Sequence, residues 1–176
     1  GHEVVVFDER PAGGGIVRDG PPRYRLPLET IQRDVDHIAS LGVEFRYGTR
    51  VGRDMDFSEV MDGWDAVFLG IGYTVSRSTR VENAERCLLA LDFLRRNKTS
   101  DKTPVGKDIV VIGGGNVAMD VAREALRLQA IQHPGERTRV QTVSLEDWDE
   151  LPATEEEIAE AREEGPLSVH VAEDLL

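Results

Sequence analysis

Lys107-Asp108-Ile109-Val110-Val111-Ile112-Gly113-Gly114-Gly115-Asn116-Val117-Ala118-Met119-Asp120-Val121-Ala122-Arg123 is the stretch that decides the fold. A β-branched run ends in three glycines and passes at once into a helical pattern, the layout of a phosphate-binding strand, turn and helix. Gly113 permits the tight turn, Gly114 continues it, and Gly115 lets backbone approach a pyrophosphate. Ala118 is the small residue that allows helix to pack on strand. The N–H groups of the helix start carry a partial positive charge of roughly half a unit toward an anion. The glycine spacing alone is a weak signal. With a strand before it and a helix after it, it points to a dinucleotide, against the plainer reading of a glycine-rich turn with no ligand.

Downstream, the helix runs to about Leu128, and Gln129–Thr138 reads as a Pro/Gly-containing insertion. The strand Val140–Leu145 follows and ends in Glu146-Asp147. Thr154-Glu155-Glu156-Glu157 has the spacing of a capping box and starts a helix ended by Gly165, after which Leu167–Val171 is the last strand. The acidic run Glu155–Glu164 reads as a solvated helix face rather than a metal site. Upstream, Asn97–Thr103 holds no hydrophobic residue and reads as a linker, which divides the chain into residues 1–100 and 101–176. Ala84–Arg96 is helical by pattern, with Leu88, Leu91 and Leu94 inward, and Cys87 on it reads as a small buried hydrophobe.

The first unit opens with Val4-Val5-Val6-Phe7, an apolar strand that ends at Asp8 and is followed by Gly13-Gly14-Gly15. An acidic residue at such a strand end can accept hydrogen bonds from a ribose, and the glycines can let backbone pass along the same ligand; a bare acidic strand end is the equal alternative. Arg18–Pro27 is a loop, and Leu28, Ile31, Val35, Ile38 and Leu41 mark an amphipathic helix stopped by Gly42. Val43–Tyr47 alternates as a strand, Ser58–Met61 suits one helical turn, and Trp64–Leu69 reads as a further strand leading into Gly70-Ile71-Gly72. The order implies an α/β fold of two Rossmann-like dinucleotide-binding units with parallel sheets, both incomplete.

Composition narrows the function classes. The 176 residues carry a net charge of −12 with no basic stripe, which argues against a nucleic-acid partner. No apolar run approaches the roughly 20 residues that span a bilayer, so no membrane insertion is expected. The one cysteine excludes an intrachain disulfide framework and a cysteine-held cluster within these residues, in keeping with a cytoplasmic protein. Both ends read as cut from a longer polypeptide. His2, His37, His133 and His170 are scattered and read as surface or packing residues, and no side chain is assigned catalytic or metal-binding work.

Several segments together carry a family resemblance: Phe7-Asp8-Glu9-Arg10-Pro11 with Gly14-Gly15, Tyr24-Arg25-Leu26-Pro27, Val51-Gly52-Arg53-Asp54, Asp65-Ala66-Val67-Phe68-Leu69, Val111 to Asp120, and Leu151-Pro152-Ala153. The chain resembles the small subunit of bacterial glutamate synthase and its flavin pyridine-nucleotide oxidoreductase relatives. The resemblance implies part of an FAD domain followed by part of an inserted NAD(P)H domain, with the first FAD glycine fingerprint and the returning C-terminal FAD segment outside this sequence. It implies that Asp8 holds the FAD ribose, and that Gly14, Gly15 and Arg25 belong to a loop along the flavin. Val51 would meet the adenine through its backbone, and Gly72 would end a strand closing over the cofactor. Gly113, Gly115, Asn116 and Val117, with Gly114 between, match the pyridine-dinucleotide phosphate turn.

The resemblance further implies hydride transfer between nicotinamide and flavin, with electrons passed to an iron–sulfur protein or larger oxidoreductase subunit. A stand-alone ferredoxin-reductase-type enzyme and a nucleotide-binding module without turnover are the rival readings. The isolated fragment is expected to bind FAD poorly and to be inactive. One departure bears on the cofactor. NADPH-using members carry a Tyr-Arg-Arg run that grips a 2'-phosphate, whereas here Leu145 and Glu146 stand in place of the arginines. A glutamate repels that phosphate and accepts from free ribose hydroxyls, so NAD(H) is expected over NADP(H). The alternative is that Arg137 or Arg139 supplies the phosphate clamp. A second departure, Arg18-Asp19-Gly20-Pro21-Pro22, replaces the Tyr-Gly-Ile-Pro run usual in relatives, and leaves the local flavin contact open.

Overall fold

The structure is a computed structural model that describes residues 1–72, 81–99, 103–165 and 167–172. The chain divides into two compact units, Gly1–Val75 and Ser76–Leu176, each with its own parallel sheet.

In the second unit β3 (Asp108–Ile112), β4 (Arg139–Ser144) and β5 (Leu167–Val171) pair in parallel in the order β3-β4-β5. Parallel neighbours need helical crossovers, which α5 (Asn116–Gln132) and α6 (Glu155–Glu164) provide. Crossovers of one hand stepping in one direction lay both helices on the same face. Ala118, Met119, Ala122, Ala125 and Leu128 of α5 therefore share one core with Val111, Val140 and Ala161. The run of alanines lets α5 sit close to the sheet. Strand alternation sends Val110 and Ile112 to the opposite face, where both are exposed.

The helix expected over Ala84–Arg96 is instead a 3-10 turn at Ala84–Arg86 followed by α4 (Ala90–Thr99). Phe93 and Leu94 enter the core of the second unit, while Leu88 and Cys87 are exposed. Packing of α4 on α5 explains why the compact division falls at Val75/Ser76, ahead of the Asn97–Thr103 linker read from composition. Asn97 and Lys98 are buried in the last turn of α4. Burial pulls the Lys98 ammonium below the usual lysine range, against the opposing pull of Glu124 and Asp120. Helix α5 also outruns its expected end at Leu128. The Gln129 amide donates to the carbonyls of Gly106 (2.8 Å) and Lys107 (3.0 Å), and Gln132 pairs with Thr103 and Val105, so this last turn tethers the entry to β3.

In the first unit β1 (Val4–Asp8) pairs in parallel with β2 (Val43–Tyr47), with Val4 opposite Val43 and Asp8 opposite Tyr47. Between them run the short α1 (Gly15–Asp19) and the amphipathic α2 (Leu28–Ser40), which buries Ile31 and Val35. A further short helix, α3 (Phe57–Asp62), buries Val60. The strand expected at Trp64–Leu69 does not form, and Phe68 is 94% exposed. A strand requires a ladder partner for its N–H and C=O groups, and the described sheet of this unit holds β1 and β2 alone. Among the described residues no helix is long and apolar enough to cross a membrane.

Candidate functional site

The three glycines between β3 and α5 do three different things. Gly113 lies at φ 131°, a left-handed conformation that favours glycine, and its N–H donates to the Val143 carbonyl (2.9 Å). A Cβ on it would rest 3.6 Å from the Cβ of Ala118, which is where helix meets strand. Gly114 is a packing glycine, because a Cβ there would overlap Ser144 Oγ and stand 2.7 Å from Leu151 Cδ2. Gly115 is extended, and a Cβ on it would enter open space. The open position beside the helix start is therefore Gly115.

The two crossover helices differ at their N-termini. On α6 the Thr154 hydroxyl accepts from Glu157 N–H (3.5 Å) and Glu155, Glu156 and Glu157 fill the first turn, so this start has a side-chain cap and carboxylates that suit its dipole. On α5 the cap residue Gly115 has no side chain to offer and the first turn holds no acidic residue. Neither a side-chain cap nor a first-turn carboxylate offsets the partial positive charge at Gly115, Asn116 and Val117.

Strand β4 ends beside this turn. Ser144 is buried, its hydroxyl donates to Glu146 Oε2 (2.5 Å) and accepts from Glu146 N–H (3.3 Å), which fixes the carboxylate at the strand end. Beyond it the chain folds back over the glycines. Leu151 and Ala153 are buried, Ala153 N–H donates to the Gly114 carbonyl (3.1 Å), and Thr154 N–H donates to Asn116 Oδ1 (2.8 Å). Arg137 precedes β4 and Arg139 begins it, so both lie at the end of the strand opposite Glu146, and Arg139 Nε is engaged with Asp108 Oδ1 (3.0 Å). At roughly 3.3 Å per residue, that end is more than 15 Å from Ser144.

Helix α6 is held to α5 by ion pairs. Arg123 is 4% exposed and pairs with Glu157 (3.6 Å), Glu160 and Glu164. The acidic run read as a solvated face thus turns three of its glutamates onto one buried guanidinium. Burial acts to raise the Glu164 carboxyl, but hydrogen bonds from Arg123 and Arg127 outweigh it and leave it below the usual carboxylate range. Arg123 and Ser144 escaped the sequence reading. The spacing of Glu157, Glu160 and Glu164 along one stripe is the signal that was available for the first.

In the first unit Asp8 Oδ1 accepts from Arg10 N–H (2.9 Å), and its carbonyl accepts from Thr49 N–H (3.0 Å). That bond brings the segment leading to Val51 alongside the end of β1. Of the glycines, Gly14 (φ 112°) is filled in, since a Cβ would stand 2.7 Å from Ile31 Cγ2, while Gly15 (φ 51°) faces open space. Arg25 is exposed over the Tyr24 ring (6.0 Å), and Gly72 is exposed at φ 69°.

These features define a class, an α/β fold of the dinucleotide-binding reductase type. FprA from Mycobacterium tuberculosis, solved as its His57Gln mutant, superposes with a TM-score of 0.74 over 92% of this chain and 40% of that one, at 22% identity. No family model matches the chain. The NADPH-Fe(3+) oxidoreductase subunit beta of Geobacter sulfurreducens is 39% identical over 134 residues, which are 72% of this chain and 20% of that protein. The glutamate synthase [NADPH] small chain of Escherichia coli is 35% identical over 178 residues, 94% of this chain and 36% of that one. The chain is homologous to the glutamate synthase small-chain-like FAD/NAD(P) oxidoreductases over part of their length. It spans between a fifth and about a third of these two relatives.

Proposed function

We propose that this chain is the dinucleotide-binding portion of a flavin-dependent pyridine-nucleotide oxidoreductase that passes electrons to an iron–sulfur partner. The observation that carries it is the α5 start. Its amides have no side-chain cap and stand beside an open glycine, whereas the α6 start has a threonine cap and three glutamates in its first turn. On this reading Gly113 shapes the turn, and the amides of Gly115, Asn116 and Val117 hold the pyrophosphate of the pyridine nucleotide. In the first unit Asp8, Gly14, Gly15, Arg25, Val51 and Gly72 belong to the flavin side, where Gly15 leaves room for close approach. The division into a partial FAD unit and a partial NAD(P) unit is part of the same proposal.

When bound, nicotinamide and flavin supply hydride transfer and one-electron release. The residues of this chain bind and orient. The Glu146 carboxylate, held by Ser144, presents a fixed negative charge at the strand end where a ribose is expected. It would accept from free hydroxyls and repel a 2'-phosphate, which favours NAD(H) over NADP(H). The far placement of Arg137 and Arg139 supports the same preference. The relatives named above carry NADPH in their names, so this preference is a departure of this chain from them.

The test is anaerobic titration of the full-length polypeptide with NADH and NADPH while flavin absorbance is followed. Bleaching at lower NADH than NADPH concentration is expected. A strong NADPH preference overturns the cofactor choice, and nucleotide binding without bleaching replaces the reductase with a module that has no turnover.

A further inference from the structure

We infer that Asn116 is a positioning residue whose side chain latches the Leu151–Thr154 segment over the glycine turn, instead of touching the dinucleotide itself. The inference rests on the functional reading above, and it gives that site a part which motif matching does not assign. Asn116 is the first residue of α5, at the place where a polar side chain would ordinarily be credited with binding the anion. Its Oδ1 is already committed to Thr154 N–H at 2.8 Å. The same segment is held a second time by Ala153 N–H on the Gly114 carbonyl, and it seals itself with Leu151 and Ala153 buried on the turn.

Thr154 is also the N-cap of α6, so one carboxamide ties the start of α6 to the start of α5. Closing the segment orders both walls of the proposed phosphate cradle. On one side it pins the backbone of Gly114, one residue before the open Gly115. On the other, Leu151 and Ser144, the residue that aims the Glu146 carboxylate, both crowd the place a Gly114 side chain would take. Breaking the latch leaves the cradle amides present but less ordered before the ligand arrives, and binding must then supply that order.

The experiment uses the full-length protein and two independent ways of opening the latch. Asn116→Ala removes the acceptor. Thr154→Pro removes the donor at a residue whose φ of −66° already suits proline, and Thr154→Ala serves as the control for the lost α6 cap. Dissociation constants for NADH and NADPH are measured by flavin fluorescence or calorimetry, with hydrogen exchange at Ala153 and Thr154 as the second readout. Asn116→Ala is expected to weaken both nucleotides about fivefold and to speed exchange at those amides. Asn116→Ala combined with Thr154→Pro is expected to bind as weakly as Thr154→Pro alone, because both remove one interaction. Additive losses would show that the Asn116 side chain contacts the nucleotide directly and would overturn the latch. Unchanged affinity with faster exchange would overturn its coupling to the site. If the wild-type protein binds neither nucleotide, the functional reading fails first, and the inference falls with it.

Discussion

Two adjacent glycines make opposite predictions. Gly114→Ala must push a methyl into Ser144 and Leu151, and is expected to destabilise the fold by about 1–3 kcal/mol, read as a lower urea midpoint with unchanged slope. Gly115→Ala places its methyl in open space on an extended backbone. It is expected to leave the unfolding free energy within about 0.5 kcal/mol of wild type while weakening pyridine-nucleotide binding. Sequence spacing treats the two as members of one motif, and neighbours brought by β4 and the following segment separate them. Cofactor choice belongs to the same scale. Leu145→Arg with Glu146→Arg is expected to move the NADPH/NADH ratio of kcat/KM upward by roughly tenfold or more, since a repelling charge is exchanged for two paired donors. A ratio left where it was would remove Glu146 from the specificity argument.

Among elements, the docking of α6 on α5 is sensitive to pH. Glu164 is held below its ordinary value in the folded state, so it contributes stability above the unfolded carboxylate value of about 4.3. That contribution is lost as pH falls through the lower folded value. Far-UV and chemical denaturation series between pH 7 and 3 are expected to show falling stability in acid. Arg123→Ala should flatten that acid limb, and should itself cost about 1–3 kcal/mol, because Glu157, Glu160 and Glu164 lose their shared partner while Arg127 still reaches Glu164. The element reading was legible where the signal was local: β3, α2 and the capping box of α6 follow from periodicity and caps. It failed at Trp64–Leu69, where apolar content is present but no strand among the described residues pairs with it. It also failed at Asn97 and Lys98, whose polarity reads as linker although both are buried in the last turn of α4.

On the scale of the molecule the cores are unequal. The second unit gathers Phe93, Leu94, Met119, Leu128, Val140 and their neighbours into one cluster, whereas the described residues of the first bury the hydrophobic side chains of Ile31, Val35 and Val60 and pair two strands. Residues 76–176 expressed alone are therefore expected to unfold in a single cooperative transition. Residues 1–75 alone are expected to show a broad, weakly cooperative one by calorimetry. A sharp transition for the first unit would mean that its few buried contacts suffice.

The amino-acid sequence by itself determined the strand, turn and helix at Gly113–Ala118, the parallel α/β class, and the acidic strand end at Glu146. Each of these is written in nearest-neighbour terms: β-branched runs, glycine conformation, 3.6-residue periodicity and a box of four residues. Only the tertiary structure decided that Gly114 packs while Gly115 stays open, that Asn116 is spent on Thr154, and that three glutamates of α6 converge on Arg123. Those outcomes depend on which residues distant in sequence arrive at the same place, and that is settled by the order of strands and the face on which the crossover helices lie.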